Sequence, residues 1–150
     1  MVELRPIHED NYKECLNLRA FVANADFVDS VAHSLAEAWV FYDDSRPFAI
    51  YADGLMVGYV LMYVGEERHQ IINFMIDSRF QKRGYGTAAA GLCVEYLCKK
   101  YNASKISLPV EPENMAAQRL WSSLGFEMSD DMEDGYLFMR LNIPKHQACR

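Results

Sequence analysis

The run Ile71-Ile72-Asn73-Phe74-Met75-Ile76-Asp77-Ser78-Arg79-Phe80-Gln81-Lys82-Arg83-Gly84-Tyr85-Gly86 joins a mostly apolar hexamer to a polar segment ending in two cations and two glycines. The hexamer has the length and composition of a buried strand. Beyond it, from Gly84 to Tyr101, residues Ala89, Leu92, Cys93, Tyr96 and Lys100 recur at helical spacing and form one face. Lys99 and Lys100 near the end of that helix complement its dipole. Gln81 to Gly86 therefore sits on a strand-to-helix junction. Unpaired backbone N–H groups and the positive end of the helix dipole suit such a junction to an anion, phosphate above all. Gly84 and Gly86 let the backbone approach a ligand closely, while Gln81, Lys82 and Arg83 add donors and charge. A glycine turn with solvated cations would have the same local sequence, so the loop alone leaves both readings open.

Working outward, the remaining elements alternate without repeats or low-complexity linkers. Val2-Pro6 predicts a strand. Helices follow over about Glu9 to Phe21, with Tyr12, Cys15, Leu16 and Arg19 in phase, and over about Asp29 to Phe41, with Val31, Leu35, Ala38 and Trp39 in phase. Phe48-Ala52 and Met56-Val64 read as strands joined by Asp53-Gly54, a strong hairpin dipeptide. Lys105-Val110 is a further strand in which Pro109 cannot donate to a ladder, so pairing should be interrupted there. Asn114 can cap a short helix carrying Ala117, Leu120, Trp121 and Leu124 on one face, with Gly125 as its stop. Strands at Phe126-Ser129 and Tyr136-Leu141 flank the acidic stretch SDDMEDG, taken as a turn. The sum is an α/β (α+β) fold, a mixed sheet with helices on both faces, with residues 1–142 as a single domain and 143–150 as a tail.

Composition bounds the function. The chain has 150 residues, of which 51% are hydrophobic and 24% charged, enough for a real core. The start MVELRPIHED carries charges where a secretory h-region should be apolar, and the most apolar stretch is broken by Asp53-Gly54, so a soluble, cytoplasmic protein without a membrane segment is expected. Cys15, Cys93, Cys98 and Cys149 form no CxxC pair, and the histidines show no metal-ligand spacing; reduced, mostly buried thiols and no metal are expected. A formal charge of −6 argues against nucleic acid and favours a cationic partner. The methionines are scattered as core fillers.

Three ordered motifs carry a family likeness: IDSRFQKRGYG followed by a helix, then ISLPVEPEN, then NMAAQRLWSSLGF. Together, over about Ile71 to Phe126, they resemble the GCN5-related N-acetyltransferase superfamily, and the elements from Arg5 to Tyr63 fit its usual beginning. FMIDSRFQKRGYG and the asparagine motif look most similar to bacterial spermidine or diamine acetyltransferases. The resemblance implies a sheet splayed between its fourth and fifth strands, with acetyl-CoA as cosubstrate. Phe74, Met75 and Ile76 would line the acyl and pantetheine end. Gln81, Lys82, Arg83, Gly84, Tyr85, Gly86 and Thr87 would surround the pyrophosphate. Asn114 would meet the cofactor arm, with Ala117 leaving room for it. The acceptor implied is a small cationic amine, polyamine or diamine favoured, with an aminoglycoside, amino acid or protein N-terminus as alternatives; a homodimer is left open.

The chemistry sets its own demands. At pH 7 an alkylamine of pKa near 10.4 must give up a proton before it attacks, a cost of roughly 4.6 kcal/mol. An acid-lined, desolvating pocket or a base is therefore useful, and a strand N–H near Met75 could stabilise the oxyanion. Acidic clusters such as Asp43-Asp44, Glu66-Glu67 and Glu111/Glu113 are more often simply solvated loops; among them Glu111 is the preferred contact for the amine. Asn73 stands where polyamine-acetylating relatives often carry a charged residue. The family motif Asn-x-x-Ala-x-x-Leu-Tyr here ends in Trp121, whose indole N–H donates a hydrogen bond but is no general acid. Trp121 therefore either borders the departing sulfur or fills the core, and water or another tyrosine, Tyr136 or Tyr63, is left as proton donor. The same departure motivates the other reading, a catalytically weakened acyl-CoA-binding sensor.

Overall fold

The computed structural model describes residues 1–20, 30–66 and 68–144. The expected helix end at Phe21, helix start at Asp29, Glu67, Cys149 and the tail from 145 onward lie outside these residues. Strands β1 (Val2–Pro6), β2 (Ser45–Ala52), β3 (Leu55–Val64), β4 (His69–Ile76), β5 (Lys105–Val110), β6 (Glu127–Glu133) and β7 (Tyr136–Asn142) form one seven-stranded sheet in the order β1-β2-β3-β4-β5-β7-β6. All neighbours are antiparallel except β4 and β5. Helices α1 (Tyr12–Leu16), α2 (Val31–Val40), α3 (Tyr85–Tyr101) and α4 (Met115–Ser123) cover it.

Alternation of side chains along the strands divides the interior between the two faces. Ile50, Val60, Met62 and Ile71 join Ala89, Cys93 and Leu97 of α3 and Trp121 of α4 in one core. Ala49, Tyr51, Tyr59, Leu61 and Met75 join Cys15 of α1 and Val31 and Ala38 of α2 in the other. The expected mixed sheet with helices on both faces is what forms. Within α3, Ala89 and Cys93 are buried as expected, but Ala90, Leu97 and Cys98 complete the stripe and Lys100 is exposed, so the buried face is rotated from the predicted one.

Several boundaries differ for visible reasons. The first helix stops at Leu16, because beyond it the backbone turns to other partners: Arg19 N–H donates to Asp77 Oδ2 and Arg19 C=O accepts from Ser78 N–H, each at 2.9 Å. The stretch SDDMEDG is not one turn; β6 runs through Glu133 with an irregular register, and only Asp134-Gly135, both at positive φ, make the turn. Asp53-Gly54 repeats that conformation in the β2–β3 hairpin, as its sequence demanded. Cys15 and Cys93 are buried free thiols, and burial pushes Cys15 up to about 12. Cys98, by contrast, is disulfide-bonded, a departure from the expected set of reduced cysteines.

The decisive feature lies between β4 and β5. They pair in parallel only at His69 with Ile106 and Gln70 with Ser107, and from there toward their C-terminal ends they share no register. Pro109 stands beyond the last pair, in register with Phe138 of β7 on its other side.

Candidate acetyl-transfer site

The separated strands enclose an opening of about 460 Å³. Its wall includes Asn73 and Phe74 of β4, Pro109 and Glu111 on the β5 side, and Asn114, Ala117 and Trp121 of the α4 segment. Glu37 of α2 and Tyr136 of β7 also line it. Because α2 and α4 lie on opposite faces, the opening runs through the sheet.

Backbone direction along β4 follows from three contacts. Asp77 N–H donates to Val57 C=O on β3 at 2.7 Å, and a Cβ on Gly58 would collide with the Met75 carbonyl oxygen. Ile76 C=O instead accepts from the Gln81 side chain at 2.6 Å. Peptide groups of successive strand residues face opposite edges, so Met75 directs its N–H and C=O to β3, whereas Phe74 and Ile76 direct theirs into the splay. The Met75 side chain is likewise turned away, buried in the α1–α2 core.

The loop after β4 is built on Asp77. Its side chain is 2% exposed and accepts from Arg79 N–H, Arg79 Nε and Arg19 N–H at 2.8 to 2.9 Å. Burial alone would raise its pKa, but these hydrogen bonds and the Arg79 charge hold the carboxyl below its usual range. Gln81 ties the next residues back to Ile76. Gly84, at φ +80°, is the N-cap of α3 and supplies no side-chain cap. The N–H groups of the first turn are therefore left for an outside acceptor. A Cβ on Gly84 would meet nothing within 4 Å, and one on Gly86 only Ile76 Cγ1 at 3.8 Å. Gly84 is required by its backbone; at Gly86 no neighbouring group enforces glycine, and the space in front of it is open. Lys82 and Arg83 are exposed and make no ion pair among the described residues, with Arg83 lying over the Phe80 ring.

At the other end, Asn114 Oδ1 caps α4 by accepting from Ala117 N–H at 3.1 Å, as its position predicts. Trp121 is 4% exposed, edge-on to both Phe74 and Phe126. Its indole N–H has no partner among the described residues, yet none of their buried side-chain nitrogens or oxygens lacks one, so this N–H is not sealed in the core. Of the two tyrosines considered, Tyr136 lines the opening and Tyr63 does not. Tyr63 donates to Asp44 Oδ2 at 3.2 Å, and burial together with the Asp44 charge raises its pKa. Glu111 is in the wall, but Asp43, Asp44, Glu66 and Glu113 are not. Sequence reasoning missed Glu37, Glu133 and Asp134, because a carboxylate on a helix or hairpin far along the chain carries no local sign that it faces a cleft. Among the described residues no group of His, Cys, Asp and Glu is arranged to hold a metal ion.

Residues 5–126 match the acetyltransferase (GNAT) family. The chain belongs to this family and is an N-acetyltransferase. It is 22% identical over 142 residues to the spermine/spermidine N(1)-acetyltransferase of Bacillus subtilis, covering 88% of this chain and 91% of that relative. Among solved structures, the spermidine N-acetyltransferase from Vibrio cholerae in complex with CoA and spermine superposes with a TM-score of 0.74 at 17% identity, over 94% of this chain and 95% of that one. The ribosomal-protein-S18-alanine N-acetyltransferase from Escherichia coli superposes with a TM-score of 0.75 at 20% identity, over 95% and 94%. At such identities the GNAT fold is shared. Two neighbours named for different acceptors fit equally well.

Proposed function

We propose that this GNAT protein transfers the acetyl group of acetyl-CoA to a primary amine of a small cationic acceptor, polyamine or diamine favoured, by direct attack. One observation carries the choice of acceptor: among the described residues that line the opening, Glu37, Glu111, Glu133 and Asp134 stand against one cation, Arg68. Such a wall attracts ammonium groups and repels acidic substrates. The names of the Bacillus subtilis and Vibrio cholerae proteins support the same acceptor class.

The residues present fit coenzyme A. Its pyrophosphate suits the uncapped first turn of α3, with Gly84, Tyr85, Gly86 and Thr87 presenting backbone and Gln81, Lys82 and Arg83 beside it. Its pantetheine arm suits the free edge of β4, where the peptide groups of Phe74 and Ile76 face the splay, and Ala117 is small enough to leave space. The group supplies an acetyl thioester open to attack by an amine. Phe74 N–H, rather than Met75 N–H, is the strand donor available to a developing oxyanion, because Met75 points at β3. Glu111 and Glu37 hold the acceptor's charge, Trp121 N–H can hydrogen-bond the departing sulfur, and Tyr136 is the phenol in reach of the opening to return a proton. Asn114 fixes the start of α4 and hence the place of Trp121.

Trp121 in place of the family tyrosine favours a second reading, a coenzyme A-binding sensor of weak turnover. The two are separated by thiol release from acetyl-CoA measured with spermidine, a diamine, an aminoglycoside and an amino acid. Amine-dependent release with spermidine or the diamine is expected. Tight coenzyme A binding without release would leave the sensor.

A further inference from the structure

Asn73 and Phe74 are consecutive on β4, so their side chains leave opposite faces of the sheet. Phe74 meets Trp121 on the α4 face, while Asn73 enters the α2 face, where its Nδ2 donates to Ser34 Oγ at 2.8 Å. Ser34 Oγ in turn is hydrogen-bonded to Tyr59 OH at 2.8 Å. Ser34 and Tyr59 are 0% and 1% exposed, so this is a dry, closed pair that anchors the amide from behind. With Nδ2 so used, Oδ1 has no partner among the described residues. It is not buried without one either, since no such buried atom exists there. Asn73 is part of the cleft wall, and Oδ1 is therefore the atom it offers to the cleft.

We propose that Asn73 Oδ1 is the acceptor that orients the reacting nitrogen of the amine, with Ser34 as its positioning residue; this rests on the acetyl-transfer reading above. The physical case is one of charge. The carboxylates Glu37, Glu111, Glu133 and Asp134 attract the cationic substrate, but the nitrogen that attacks must be neutral. A carboxylate against that nitrogen would favour its ammonium form and oppose loss of the proton. An amide oxygen accepts the N–H without that bias. The chain thus separates two tasks that a single acidic residue would set against each other: charged groups gather the substrate and a neutral one aims it.

The test compares the unaltered protein with Asn73→Leu, Asn73→Asp and Ser34→Ala. For each, kcat and KM for spermidine are followed against pH, with KM for acetyl-CoA and the calorimetric affinity for spermidine alone. Asn73→Leu is expected to weaken spermidine about fivefold in both KM and Kd, the worth of one hydrogen bond, with KM for acetyl-CoA unchanged. Ser34→Ala should shift the same two quantities in the same direction, by less. Asn73→Asp should tighten spermidine, lower kcat at neutral pH and move the rise of kcat to higher pH. Unchanged spermidine KM and Kd in Asn73→Leu, or a kcat raised at neutral pH in Asn73→Asp, would overturn the proposal. If the unaltered protein releases no thiol with any amine, the acetyl-transfer reading fails instead, and calorimetry alone then decides the Asn73 contact.

Discussion

Phe74 and Trp121 meet edge-on, ring centroids 5.2 Å apart with their planes at 74°, across the gap where the sheet stops being continuous. The pair joins β4 to α4 where β5 no longer holds β4, so Trp121 is at once a core residue and part of the cleft wall. Trp121→Ala should therefore cost roughly 3–5 kcal/mol, read by denaturant unfolding. Trp121→Phe keeps most of the packing and loses the N–H; kcat should fall about fivefold if that N–H meets the sulfur. Trp121→Tyr restores a phenol, and a general acid is worth ~10²–10⁴ in rate, so a kcat increase of at least about tenfold is expected. Unaltered kcat in both variants would reduce Trp121 to packing.

The two glycines of the loop should separate cleanly. Gly84→Ala forces a side chain into the left-handed region at a cost of roughly 1 kcal/mol, visible as a lower Tm. Gly86→Asp meets neither strain nor collision within the protein, and a carboxylate in the first turn of a helix is if anything stabilising. Its Tm should hold while acetyl-CoA affinity drops by about tenfold or more, since the new charge would face the pyrophosphate in the proposed cradle. Unchanged affinity would remove the phosphate cradle from the account.

Asp77 links the segment after α1 to the loop that precedes α3. Asp77→Ala removes several charge-assisted bonds from a buried position, and a loss of roughly 2–4 kcal/mol is expected in chemical denaturation. The pH dependence follows from the depressed pKa. Its stabilisation is complete above the unfolded value of about 3.9 and is lost as pH falls through the lower folded value. The acid limb of the stability curve should therefore be shallower in Asp77→Ala than in the unaltered protein.

Where local periodicity and turn chemistry act alone, the sequence was readable. The Asp53-Gly54 hairpin, the Asn114 cap and the strand-to-helix junction after Ile76 stand where their residues demand. What could not be read depends on partners distant in sequence. The early end of α1 is set by Asp77, 58 residues from Arg19. The orientation of Met75 is set by the β3 register, which no inspection of Phe74-Met75-Ile76 reveals. The acidic wall assembles from α2, the end of β5 and the β6–β7 hairpin. Motifs thus pointed to the strand and loop proposed for the donor, while the acidic wall proposed for the acceptor emerged only from tertiary structure.

That wall makes a further prediction. Glu37→Gln and Glu111→Gln should each raise KM for spermidine about two- to fivefold, as expected for partly solvated charge contacts. KM for acetyl-CoA should not move in Glu37→Gln, and the spermidine KM of the unaltered protein should climb with ionic strength. A spermidine KM indifferent to both changes and to salt would separate the carboxylates from acceptor binding.

The central claim, acetyl transfer to a small cationic amine, is tested most directly by mass spectrometry of competing acceptors. Spermidine, a diamine, an aminoglycoside, an amino acid and a peptide with a free N-terminus would be mixed at equal concentration with acetyl-CoA and the protein. A singly acetylated polyamine or diamine is expected to accumulate first. Acetylation of the peptide or amino acid ahead of them, or no acetylated product at all, would contradict it.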